Sequence, residues 1–188
     1  MSPPTPTSAR ATDSASGEGR WRRGAVALFA GTLGLAFFLT LLWFGMRSVL
    51  DIGGMCASGG PYQIAVECPD NIGWPMPLSI WLGLMSAGLM AFGAIRVGAT
   101  GLVLIGWPAL FLSLGGNFLE YGVRPPGGGG LAWGWLVCGV VFVLMGAPPL
   151  LALRQLSEVP RRGMILLLVG AAAAVGVVWG TMAFHAIA

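Results

Sequence analysis

Five long apolar runs dominate this chain, and each is long enough to cross a bilayer as a helix. They cover residues 24–46, 76–95, 99–118, 131–153 and 164–187. A helix rises about 1.5 Å per residue, so roughly 20 residues span the ~30 Å hydrocarbon core. No water is available there to bond the backbone, and the runs are far too long for barrel strands, so each must be a helix. Charged residues make up 9% of the sequence and apolar residues 56%, with a mean hydropathy of +0.81. A water-soluble domain carries about a quarter charged residues. Lipid is the solvent this composition fits. The expected fold is therefore an all-α membrane domain over 24–188, a bundle of five transmembrane helices. Residues 1–23, rich in Ser, Thr, Pro and Ala, are expected to form a disordered cytoplasmic tail. The first run is too long for the core of a secretory signal and reads as a retained anchor.

Orientation follows from arginine, the only basic residue type besides a single histidine. With the N-terminus inside, the inner side carries Arg10, Arg20, Arg22, Arg23, Arg96, Arg154, Arg161 and Arg162, and the outer side only Arg47 and Arg124. Inner loops enriched in positive charge predict N-in, C-out. Trp43, Trp74, Trp81, Trp133 and Trp135 then all fall at the outer interface, where indole rings settle. The expected location is the cell membrane, as a multi-pass protein. The net charge of +3 forms no basic stripe, so the partner it predicts is the lipid bilayer and not nucleic acid. Ser79, Gly83, Ala87 and Ala91 put a small residue at every fourth position of the second helix, and Ala172, Gly176 and Gly180 do so in the fifth. Such rows let helix backbones approach closely in lipid. Short inner connections predict that neighbouring helices pack side by side. Pro108 and the Pro148-Pro149 pair are expected to kink the third and fourth helices.

The outer loop, residues 47–75, is the most distinctive stretch. It contains Cys56-Ala57-Ser58-Gly59-Gly60-Pro61-Tyr62-Gln63-Ile64 and then Cys68-Pro69 before a Pro-rich start to the next helix. This loop resembles that of a set of small actinobacterial integral membrane proteins of unknown function. The resemblance covers the loop and its flanking helices, implies residence in the cell membrane, and carries no catalytic assignment. Read from the residues alone, two cysteines in an outward loop rich in Gly and Pro predict an intraloop Cys56–Cys68 disulfide. Closing such a ring is worth ~3 kcal/mol in the chain-entropy picture. A redox-active pair would more often be Cys-x-x-Cys, and the vitamin K epoxide reductase and bacterial quinone-coupled disulfide-generating families carry that motif where this chain has none. Cys138, alone in the fourth helix, reads as a small buried hydrophobe.

Few other residues suggest chemistry. Glu120, just beyond the third run, is a possible functional carboxylate. Its plainer role is an interfacial group that reaches water or pairs with Arg124. One histidine, His185, cannot make a metal site, and no ligand-spaced Cys/His cluster exists. The Gly127–Gly130 run lacks the Lys-Ser/Thr of a phosphate loop. No catalytic residue, cofactor or metal ligand is therefore assigned. The expected function is a non-enzymatic membrane protein, an accessory or envelope-associated subunit. Its pinned outer loop would meet another membrane or envelope protein through Tyr62, Gln63 and Trp74. Two alternatives stay open: a membrane thiol–disulfide oxidoreductase using Cys56 and Cys68, and a small-solute permease or channel using Glu120 and Asn117.

Overall fold

Each apolar run forms a helix in the computed structural model. The structure describes residues 7–54, 66, 68, 72–126, 128, 130–150 and 161–187, with side chains from residue 18 onward. In order, the helices are α1 (Thr7–Asp51), α2 (Pro75–Arg96), α3 (Val103–Val123), α4 (Trp133–Gly146) and α5 (Arg162–Ile187), with a short 3-10 turn, Thr100–Leu102, leading into α3. All five spans are long and apolar enough to cross a membrane. Their outward faces carry large apolar side chains such as Trp81, Met85, Leu144, Leu167 and Met182, a surface that water would penalise and lipid does not. The described chain is that of an all-helical, multi-pass membrane protein.

Several boundaries differ from expectation. α1 starts at Thr7, immediately after Pro6, so the helix runs back through most of the stretch expected to be a disordered tail. Once a span supplies the nucleus, adding further turns of Ala, Arg and Glu costs little. α3 continues past Phe118 to Val123. α4 stops at Gly146, and residues 148–150 form a 3-10 turn, so Pro148 and Pro149 end this helix instead of kinking it. Pro108 lies inside α3, where it is buried.

The packing is built on α1. α2 runs antiparallel to it and α5 parallel to it, both along most of their length. Gly31 of α1 lies against the backbone of Met90, and Gly93 of α2 against the backbone of Leu28; a Cβ on either glycine would collide with main chain. On another face of α1, Gly176 meets Leu33 and Ala36, and Gly180 meets Phe37 and Thr40. A core gathers around Leu28, Leu35, Met90, Ala94, Leu102 and Ile165, near the turn between α2 and α3. α3 and α4 form a separate hairpin, joined by glycines seven residues apart on each helix: Gly115 and Gly122 face α4, Gly139 and Gly146 face α3.

Neighbours in sequence are thus not always neighbours in space, contrary to the side-by-side expectation. Among the described residues α2 barely touches α3, and α4 does not touch α5. The hairpin joins the α1–α2–α5 block through the turn at 97–102 and through Gly106, whose position faces Met90 and Leu35. It joins again at the far end, through polar side chains described below. Two apolar hollows lie between these attachments. One, of about 150 Å³, sits between α1, α3 and α5 and is lined by residues such as Thr32, Ala109 and Ala173. The other, of about 520 Å³, is a cleft between α2 and α3, floored by α1 and reaching Phe142 of α4.

Candidate functional site

Polar side chains converge where the far ends of α1 and α3 meet. Because α1 continues to Asp51, Arg47 and Asp51 stand one turn apart on it. The longer α3 likewise aligns Asn117, Glu120 and Tyr121, spaced three and four residues apart, on one face. Arg47 Nη1 donates to Glu120 Oε2 at 2.6 Å, and Nη2 donates to Oε1 at 3.0 Å. This is the two-pronged geometry that suits guanidinium to carboxylate. Nη1 also donates to Asn117 Oδ1 at 3.3 Å. The guanidinium lies over the rings of Tyr121, at 5.1 Å, and Trp43, at 5.6 Å, a favourable cation–π placement. The Tyr121 hydroxyl donates to Asp51 Oδ1. α4 closes the cluster, with Trp135 edge-on to Tyr121 and its ring filling the space where a side chain at Gly54 would stand.

Burial is graded across this cluster. The Glu120 side chain is 52% exposed and that of Arg47 29%, whereas Asn117 is fully buried at 0%. Among the described residues Asn117 Nδ2 has no hydrogen-bond partner. The charged groups therefore sit at the rim and neutralise one another, while one uncharged amide lies deeper with an unused donor. Such an arrangement ties helices together. Among the described residues no group of three or more His, Cys, Asp or Glu side chains could hold a metal ion.

The sequence-derived candidates divide accordingly. Glu120 pairs with Arg47, 73 residues earlier, and not with Arg124, which caps α3 and is exposed. Backbone geometry explains the difference: Glu120 is still helical, and its carboxylate faces α1. Trp74 stands directly before α2 and is exposed. Cys56, Tyr62 and Gln63 lie outside the described residues. Cys138 is a free cysteine on the exposed face of α4, so surrounding lipid, and not the bundle interior, would shield it. The sequence gives no functional role to Arg47, Asp51 and Tyr121, and offers Asn117 only beside Glu120 in the permease alternative. The available signal was polar residues at matching helical spacing on two runs, hidden because both runs were ended too early.

Tyr121→Phe removes the hydroxyl bonded to Asp51 and keeps the ring under Arg47. It is expected to lower stability by about 1 kcal/mol, the usual net worth of one such bond. Thermal unfolding in mild detergent measures this, and an unchanged midpoint would show that the Asp51 contact contributes nothing. Comparison with protein-family models, curated proteins and solved structures gives no match.

Proposed function

We propose that this chain is a non-enzymatic subunit of a cell membrane, spanning it five times with the N-terminus inside and the C-terminus outside. It would hold its 47–75 loop as a docking element for another membrane or envelope protein. The observation that carries this reading is the Arg47–Glu120–Asn117 and Asp51–Tyr121 cluster. It lies at the root of the loop, and its polar groups bond to one another across α1 and α3. A loop anchored on a braced base costs less ordering entropy when a partner binds.

Orientation is supported by where the packing gathers charge. Parallel α1 and α5, with antiparallel α2, collect Arg20, Arg22, Arg23, Arg96, Arg161 and Arg162 at one end; there Arg161 lies over Trp21 at 5.1 Å. That end is the inner one under the positive-inside rule. A Cys56–Cys68 bond would pin the loop further. It is supported by Cys68 not being a free thiol and by the oxidising outer compartment. The resemblance of the loop to that of small actinobacterial membrane proteins fits the same location.

Two measurements test the proposal. A reporter active only in the cytoplasm, fused to the C-terminus, should be silent; strong activity would reverse the orientation. Alkylation of the unreduced, denatured protein should label Cys138 alone and leave a 56–68 linked peptide for mass spectrometry. If Cys138 is instead found linked to Cys56 or Cys68, thiol exchange chemistry replaces the docking role. In native gels of mildly solubilised membranes, the protein should run in a larger complex that is lost with Cys56→Ser. Migration as an isolated chain would end the subunit reading.

A further inference from the structure

Arg22 and Arg23 stand at the end of α1 away from Arg47, and both line a groove of about 640 Å³ on the exposed face of α1 and α2. Residues 19, 22, 23, 26, 27 and 30 recur at helical spacing, so they form a single stripe along α1. The two guanidiniums belong to one end of that stripe. Beyond them the lining is apolar: Val26, Ala27 and Ala30 of α1, with Leu89 of α2 beside them. Ala27 and Ala30 are short and leave the groove open between the larger Val26 and Leu89, both exposed.

Three observations say what the groove takes. First, its positive charge lacks a partner. Among the described residues neither Arg22 nor Arg23 forms an ion pair, and Arg23 makes one weak hydrogen bond, from Nε to the Gly19 carbonyl at 3.4 Å. The terminal N–H groups of both side chains remain available, and planar forks of this kind suit phosphate oxygens. Other arginines at this end are engaged, Arg96 over the Phe92 ring at 4.7 Å and Arg161 over Trp21 at 5.1 Å. Second, the groove runs from these charges into the apolar length of α1, which is long enough to cross a membrane. A ligand that uses all of it is anionic at one end and apolar along the rest; a free phosphate would use only the charged end. Third, the length suits a lipid tail. From Arg22 to Ala30 the stripe covers about 12 Å at 1.5 Å per residue. One leaflet offers about half of the ~30 Å hydrocarbon core.

We propose that this groove binds one anionic phospholipid from the leaflet on the Arg22 side. Its phosphate sits on the Arg22 and Arg23 guanidiniums, and one acyl chain lies along Ala27, Ala30 and Leu89. Basic hollows between membrane helices hold lipid head groups in this way. The site does not depend on the docking role proposed above. It lies at the opposite end of α1 from the 47–75 loop, and it takes a lipid whichever side of the membrane that end faces.

Native mass spectrometry of the full chain in detergent, titrated with palmitoyl–oleoyl phosphatidylglycerol, tests this. The expected result is one saturable adduct, which phosphatidylcholine with the same tails forms about tenfold more weakly. Arg22→Gln combined with Arg23→Gln should weaken the phosphatidylglycerol adduct about tenfold. Arg96→Gln combined with Arg162→Gln removes the same charge at the same end but outside the groove, and should leave the adduct unchanged. Ala30→Phe blocks the apolar half while keeping both arginines, and should weaken the adduct as well. The dihexanoyl analogue, too short for the apolar stretch, gives the same comparison without a mutation. Inorganic phosphate should not displace the lipid. Equal losses from the two double variants would reduce binding to the general charge of that end and overturn the site. Displacement by inorganic phosphate, or equal binding of the long and short lipids, would overturn a phospholipid as its occupant.

Discussion

Gly93→Leu will separate α2 from α1 and leave little folded protein. The Gly93 Cα lies so close to the backbone of Leu28, and to the carbonyl of Gly24, that any side chain must push main chain aside. Backbone cannot rotate away as a side-chain tip can, so the strain spreads along the helix pair. Overpacking a well-filled site costs about 1–3 kcal/mol, and more where main chain is displaced. Lipid supplies no hydrophobic drive to compensate, because it solvates the separated helices as well as it solvates the pair. Gly31→Leu, the reciprocal contact against Met90, should behave alike, while Gly88→Leu on an open face should fold normally. Unfolding midpoints and yield of monodisperse protein in detergent give the comparison. Equal behaviour of Gly93→Leu and Gly88→Leu would mean that α1 and α2 do not approach as described.

Arg47→Ala should cost about 2–3 kcal/mol, and Glu120→Gln no more than about 1. The asymmetry comes from what each change strands. Glutamine keeps one oxygen for the guanidinium, and the position is half in water. Removing Arg47 deprives Asn117 Oδ1 of its donor at a fully buried site where, among the described residues, Nδ2 already lacks an acceptor. It also uncovers the faces of Tyr121 and Trp43. Exchanging the two residues, Arg47→Glu with Glu120→Arg, restores charge pairing but not the bond to Asn117, so it should recover part of the loss. Unfolding in detergent at fixed ionic strength measures all three variants. A Glu120→Gln loss as large as that of Arg47→Ala would make the carboxylate, and not the arginine, the keystone.

The contrast between these residues shows how far sequence reading reaches. Apolar length alone located all five helices, because the bilayer forces any such run to be helical. The Ala172–Gly176–Gly180 row was legible as a packing face, and it packs on α1. The row on α2 looked the same in sequence and lines a cleft. Nothing local distinguishes them, since close approach depends on what the opposing helix presents. In sequence Arg47 is only a charge on the expected outer side, and Glu120 has water or Arg124 as its evident partner, because proximity in sequence is the only proximity a sequence displays. Finding their pairing requires knowing that α3 crosses beside α1, which no periodicity encodes. The Cys56–Cys68 pairing rests on compartment and spacing, and both the bond and its role stay proposals, since Cys56 lies outside the described residues.

The parallel contact of α1 with α5 has a consequence for how the molecule is made. Of the five described helices α1 is made before the others, and it carries a glycine-accepting groove, around Leu33, Ala36, Phe37 and Thr40, whose occupant, α5, is made after α2, α3 and α4. While α2, α3 and α4 are inserted, that groove faces lipid or the insertion machinery, and the assembly remains unfinished on one side. Contacts between segments so distant in sequence form late. A ribosome stalled before α5 would therefore release an intermediate with α1 and α2 joined and the groove open. Quality-control proteases that survey the bilayer would meet an unsealed helix face in such a chain.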